Sequence, residues 1–333
     1  MSRRQGKDLL GAGYIQRGRP TAIIGPPGVG KSRLSYWIPP CQITGRDWCG
    51  ISTGGEPLKW LLIGNENSLR RQKADLSKIL GSFSPPEREL IEENLRLHVL
   101  ETIEDCRLDL SDERTRTRLR ATIEEHQPGA VILDPFSNFV EGDENQAKDQ
   151  RATLNDIYRI VQGVVLDCAI VILHHARTGA GNIAQGVGNY TAGNYMRGSK
   201  ALLGDVRCAI NLMPGDNEDF TKLVISCGKA NDCEAFATRG LVFNPENFRY
   251  DVDPDFNLED WINDVEGKRG NKACSIADVV EAVRAGKHKR KEIVEHVNDL
   301  TGASESTIRR RIKDACEADK IQPTQPRGCY TLK

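Results

Sequence analysis

A chain of 333 residues with 38% hydrophobic and 28% charged side chains has the composition of a globular protein, long enough for one core of about 200 to 250 residues and a small second domain. It holds no run of 18 apolar residues, and its first eight residues lack the apolar stretch of a signal peptide; this argues against a membrane span and leads us to expect a cytoplasmic protein without membrane contact. Ten scattered cysteines form no CxxC pair and no zinc-spaced cluster, so we expect neither a disulfide framework nor a zinc site. The net charge of −1 conceals a basic tail, with 15 Lys and Arg against 10 Asp and Glu in residues 266–333 and 31 against 37 before them, as a nucleic-acid contact or a solvated basic face would give.

The first predicted strand, 21–25, runs directly into Gly25, Pro26, Pro27, Gly28, Val29, Gly30, Lys31 and Ser32. This is the GxxxxGK(S/T) pattern, in which backbone N–H groups of a glycine-rich turn cradle a polyphosphate, the lysine reaches the outer phosphates and the hydroxyl meets magnesium. ATP and Mg2+ are therefore the expected ligands. Arg33 and the residues after it open a helix whose N-terminus faces the phosphates, and Pro39 and Pro40 must end or kink it early.

Further predicted strands follow at 60–64, 97–100, 130–134 and 169–174. Predicted helices at 68–80, 86–94, 112–126 and 149–165 lie between them. Alternation of this kind gives a mostly parallel sheet covered on both faces. Extended segments at 208–213, 222–226, 240–243 and 248–252 then add an antiparallel extension. Ligands bind such sheets at the carboxyl ends of the strands, so the residues there are the candidates for chemistry. Glu66 follows one strand and is placed to orient or polarise an attacking water. Asp134 ends another and can hold the magnesium that Ser32 touches, and His174 and His175 close a third, placed to sense a γ-phosphate.

After the histidines, residues 176–197 are rich in Gly and Asn, with Tyr190, Tyr195 and Arg197 interspersed, and carry no apolar periodicity. A loop of that length inside a compact domain is functional or disordered. A polar linker over 263–272 separates the core, 1–262, from a C-terminal domain, 273–333. Helices at 276–284, 291–298 and 305–318 are expected there, followed by a hairpin over 321–332 with Pro323, Pro326 and Gly328 at the bend. That order looks like a winged helix, with Arg309, Arg310, Arg311 and Lys313 on its third helix, where DNA would be met. Winged helices also serve as protein contacts.

Taken together, GPPGVGKS, LLIGNENSLRRQ, VILDPFSNFVEGDEN, VILHHARTG, MRGSKALLGDVR and the triplet Lys229-Ala230-Asn231 resemble the RecA-like ATPases. The branch is the one containing KaiC and the DnaB-type replicative helicases, and above all the RepA-type hexameric helicases of plasmids and phages. The resemblance covers about residues 10–250 and implies a RecA-like P-loop NTPase fold of class α/β. It implies Glu66 as the catalytic carboxylate, Asp134 as the magnesium ligand, and His175 with His174 as the link to a DNA-binding loop. It also implies a homo-oligomeric ring, a hexamer, whose nucleotide sits between subunits. A neighbour's Lys229, or as second choice Arg207, completes the site. The loop 176–197 would face the channel, with Arg197 and Lys200 against single-stranded DNA, and the C-terminal domain would take DNA or a replication protein. Three functions stay open on this reading: a replicative-type helicase, a KaiC- or RecA-like ATPase acting on DNA without unwinding it, and an ATP-controlled DNA-binding regulator.

Overall fold

The computed structural model describes residues 8–64, 66–99, 110, 112–140, 142–143, 146–176, 200–216, 219–262, 274–301, 305–325 and 328–333. They fall into two compact units, Met1–Leu258 and Glu259–Lys333. The chain of the first unit runs β1 (Asp8–Leu10), β2 (Ile15–Gln16), β3 (Pro20–Gly25), α1 (Lys31–Ser35), α2 (Ile38–Thr44), β4 (Trp60–Gly64), α3 (Leu69–Leu80), α4 (Pro85–Asn94), β5 (Leu95–Val99), α5 (Glu113–His126) and β6 (Ala130–Asp134). It continues through α6 (Ala147–Val161), β7 (Ala169–His175), α7 (Lys200–Asp205), β8 (Cys208–Pro214), β9 (Lys222–Ala230), β10 (Arg239–Asn244) and β11 (Arg249–Val252).

Nine strands form one sheet in the order β11-β10-β9-β8-β3-β7-β6-β4-β5. From β8 to β5 the neighbours are parallel, and β9, β10 and β11 join antiparallel, which is the α/β architecture expected. The central strands read as unbroken apolar runs because helices cover both faces. β3, β4 and β6 are buried along their whole length. The crossovers that make this possible are helices with defined starts: Ser68 caps α3 by accepting from the Arg71 N–H, and Asp112 caps α5 by accepting from that of Thr115.

Three local features differ from expectation. Pro39 and Pro40 lie in the first turn of a new helix, α2, where a missing N–H breaks no helical bond, so they restart the helix one residue pair after α1 ends. β9 continues to Ala230, four residues beyond the expected end, and its register with β8 shifts between Ala209 and Ile210. Lys229 is thereby inside the strand, opposite Ala209. The pairing of β1 with β2, three and two residues long, was too short to leave a periodic signal, yet it buries Leu9, Leu10 and Ile15.

The second unit carries α8 (Ile276–Arg284), α9 (Arg290–Thr301), α10 (Glu305–Glu317), β12 (Ile321–Thr324) and β13 (Cys329–Leu332). Ser275 and Asp278 form a reciprocal capping box at the start of α8. Val279, Val283, Ile293, Val297, Ile308 and Ile312 build its core. Pro323 does not stand at the bend: it sits within β12 opposite Tyr330, tolerated because a two-stranded ribbon leaves every other N–H unpaired. The expected linker, 263–272, lies outside the described residues.

Candidate functional site

The parallel register aligns four strand ends at one edge of the sheet. Gly25 of β3 is level with His175 of β7, and Gly64 of β4 with Asp134 of β6. β7 is inserted between β3 and β6, so the phosphate loop and the carboxylate are one strand apart and the histidines lie between them. Gly64 is obligatory here, because a Cβ on it would run into the backbone carbonyl of Asp134. That close approach carries the chain toward Glu66 two residues later.

The loop itself uses glycine where side chains are excluded. Gly30 has φ +94°, and a Cβ there would stand 2.5 Å from the Tyr250 hydroxyl of β11. Lys31 follows as the first residue of α1. Its side chain is buried, its Nζ donating to the carbonyls of Gly25 and Pro26 at 3.0 Å each, and lying 3.4 Å from His175 Nδ1. Burial lowers its pKa, and the charges of Glu66 and Asp134 oppose that shift. Arg33 lies across the rings of Phe243 and Phe248, its guanidinium 4.1 and 4.8 Å from their centroids.

Asp134 is 3% exposed. Burial pushes its carboxyl up to about 6; Glu66 pushes the same way, while hydrogen bonds from Ser32 and Tyr36 and the charge of Lys31 pull it back. Tyr36 donates to Oδ2 at 3.2 Å, whereas Oδ1 is buried and makes no hydrogen bond to any described residue. A carboxylate with one oxygen held and the other bare, beside a serine hydroxyl, fits a hard divalent cation such as magnesium. Glu66 is exposed and lines a cleft of about 220 Å³ with Lys31, Ser32, Asn67, Arg71 and Asp75. A larger cavity, about 470 Å³, has Leu34, Trp37, Trp48 and Arg249 in its wall and none of Lys31, Ser32, Glu66 or Asp134, so the smaller cleft is the candidate site.

Of the expected residues, Gly25, Pro26, Gly28, Gly30, Lys31, Ser32, Glu66, Asp134 and His175 gather at this edge. His174 is buried and meets Phe136 edge-on, ring centroids 6.0 Å apart. Lys229 and Arg207 stand toward the other end of the sheet. Lys229 pairs with Ala209, which is level with Ala22, three residues or about 10 Å back from Gly25. Its Nζ donates to the carbonyls of Leu203, Gly204 and Val206 at 2.6, 3.2 and 2.7 Å, closing the C-terminus of α7. Arg207 forms a two-pronged pair with Asp232 at 3.0 and 2.6 Å. Neither reaches the phosphate loop of its own chain.

The loop 177–197, including Arg197, lies outside the described residues, as does the side chain of Lys200 at the start of α7. On α10, Arg309 and Lys313 are ion-paired to Glu305 and Glu317, Arg310 is exposed, and Arg311 is tied to the Cys274 carbonyl at 2.8 Å and to Asp314 at 2.9 Å. Arg311 therefore braces its own unit. Sequence reasoning missed Tyr36, Arg71 and Asp75. Tyr36 had a usable signal, since it follows Ser32 by four residues, one helical turn.

A family model described as AAA domain matches residues 1–181. No match was found among curated proteins. Among solved structures, the chain is similar to a DnaB-like replicative helicase studied with its interactions with primase, at a TM-score of 0.49 and 13% identity over 73% of this chain and 59% of that one. It is similar also to the ATPase domain of G40P, at a TM-score of 0.49 and 13% identity over 71% of this chain and 85% of that one. These likenesses concern the fold alone. The chain thus spans 59% of the first of these structures.

Proposed function

This chain belongs to the AAA domain family and is an ATPase, and from that premise we propose that it works as a ring-forming motor on single-stranded DNA, a helicase of the replicative type. The observation that carries the reading is the 3.4 Å approach of Lys31 Nζ to His175 Nδ1. The lysine that meets the outer phosphates is in contact with the strand that leads directly into the loop expected to face DNA. A change at the γ-phosphate has a short path to that loop.

In this reading ATP lies along residues 25–32, with Lys31 turned from its carbonyl partners to the β- and γ-phosphates. Glu66, open to the cleft, accepts the proton of the water that attacks the γ-phosphorus, and ADP and phosphate leave. Ser32 and Asp134 would hold magnesium, which when bound neutralises charge on the phosphates. A cation from a neighbouring subunit adds to this in a ring, and such a group is worth about 10³ to 10⁵ in rate. Lys229 or Arg207 would fill that role only by exchanging its intrachain partners for phosphate. The C-terminal unit, read as a winged helix, offers Arg309, Arg310 and Lys313 of α10 to DNA or to a replication protein.

The test is a strand-separation assay beside an ATPase assay, with native mass to count subunits. Stimulation by single-stranded DNA together with unwinding is the expected result. The intrachain commitments of Lys229 and Arg207 favour a second reading, an ATPase that acts on DNA without separating strands. ATP hydrolysis without unwinding at any salt concentration would select it.

A further inference from the structure

The phosphate-loop helix presents two hydroxyls to one carboxylate. Ser32 and Tyr36 lie one turn apart, joined by the Tyr36 N–H to Ser32 carbonyl bond at 2.9 Å. Tyr36 donates to Asp134 Oδ2 at 3.2 Å, and Ser32 is close enough to the same carboxyl to lower its pKa. The two donors are not equivalent. Ser32 is the hydroxyl that the GxxxxGK(S/T) pattern gives to magnesium, so its oxygen is committed to the metal side of the site. Tyr36 has no such second duty. It is 3% exposed, as is Asp134, and its ring is packed in the core of the first unit.

We propose that Tyr36 is a positioning residue for ATP hydrolysis, which holds Asp134 by Oδ2 and so leaves Oδ1 to magnesium. The inference rests on reading Asp134 as the carboxylate on the metal side of the nucleotide. Two observations support the division of labour. Oδ1 is the buried oxygen without a hydrogen bond to the described residues. The Tyr36 ring is clamped by its surroundings, so the donor direction is set before any ligand arrives. The placement has a local cause. Tyr36 is the C-cap of α1, one helical turn after Ser32, so its hydroxyl and that of Ser32 leave the same helix on the same side.

The test separates metal-linked binding from turnover. Binding of a fluorescent ATP analogue is measured for the full chain with magnesium and with EDTA, and the ratio of the two affinities is the metal-dependent gain. Tyr36→Phe removes one oxygen and keeps the ring. We expect it to cut the gain about tenfold, the scale of one hydrogen bond to a charged group, while affinity in EDTA stays within twofold. In an Asp134→Asn background the same substitution should change the gain by less than twofold, because the carboxylate it positions is no longer there. Saturating magnesium should restore most of the turnover lost by Tyr36→Phe. Should the Phe variant fail to fold, Tyr36→Met fills similar volume without a donor and is measured in the same way. An undiminished gain in Tyr36→Phe, an equal loss in EDTA, or a full tenfold effect on top of Asp134→Asn each overturns the proposal. A parent protein with no magnesium-dependent gain would instead remove the reading of Asp134 on which it rests.

Discussion

Asp134→Asn should make the ligand-free protein more stable while abolishing ATP hydrolysis, and the size of the gain follows from burial. The carboxyl sits at about 6 in the folded protein against 3.8 for an ordinary aspartate, so the folded state disfavours its ionised form by about two pH units, or about 3 kcal/mol. The sign is set by proton counts. Below pH 4 folded and unfolded chains both hold the proton and the carboxyl has no effect. Between pH 4 and 6 the folded chain keeps a proton that the unfolded chain releases, so stability falls as pH rises; above 6 the full penalty is present. Asn has no such slope, and its side-chain oxygen still accepts from Tyr36. Urea unfolding in EDTA, followed by the fluorescence of the buried Trp37, Trp48 and Trp60, should therefore give equal stabilities for parent and Asp134→Asn near pH 4. Near pH 8 the variant should lead by up to about 3 kcal/mol. Equal stabilities at both pH values would refute the claim that Asp134 is a desolvated carboxylate awaiting a cation.

Gly64→Ala places a methyl against the Asp134 carbonyl and should cost about 1–3 kcal/mol in urea unfolding, with weaker nucleotide binding because β4 and β6 must part. Lys229→Ala leaves the carbonyls of Leu203, Gly204 and Val206 without their donor, an expected loss of about 1–3 kcal/mol in thermal or urea unfolding. Mixing Lys229→Ala with Glu66→Ala chains tests the neighbour's role separately: recovered ATPase marks a shared site, and no recovery confines Lys229 to closing α7. In the second unit, Arg311→Ala should lower thermal stability by removing the bonds to Cys274 and Asp314. Arg310→Ala should leave stability within about 0.5 kcal/mol and reduce the salt dependence of any DNA binding.

Much of this protein was legible residue by residue. The runs TAIIG, WLLIG, AVILD and AIVILHH read as central strands, because each is a short, β-branched-rich apolar stretch set between helical periods. The strand ends then marked where Lys31, Glu66, Asp134 and His175 would meet. What escaped was chemistry at non-periodic positions. A tyrosine in a short helix looks like core, and only the fold reveals that its hydroxyl ends on Asp134. Lys229 lay outside the expected strand, 222–226; pairing with β8 carries that strand four residues further, to Ala230, and takes Lys229 into it.

By itself the sequence determined the elements and their chemistry: which segments are apolar enough to be buried, where glycine must turn, and that a lysine and a serine follow a phosphate loop. These follow from local propensity and periodicity, which act over a few residues. The tertiary structure alone decided which oxygen of Asp134 is held and which is bare, that Gly64 must lack a side chain, and that Lys229 and Arg207 are bonded within their own chain. Those facts depend on register between strands far apart in sequence, and register is set by the packing of the whole sheet rather than by any one strand in it.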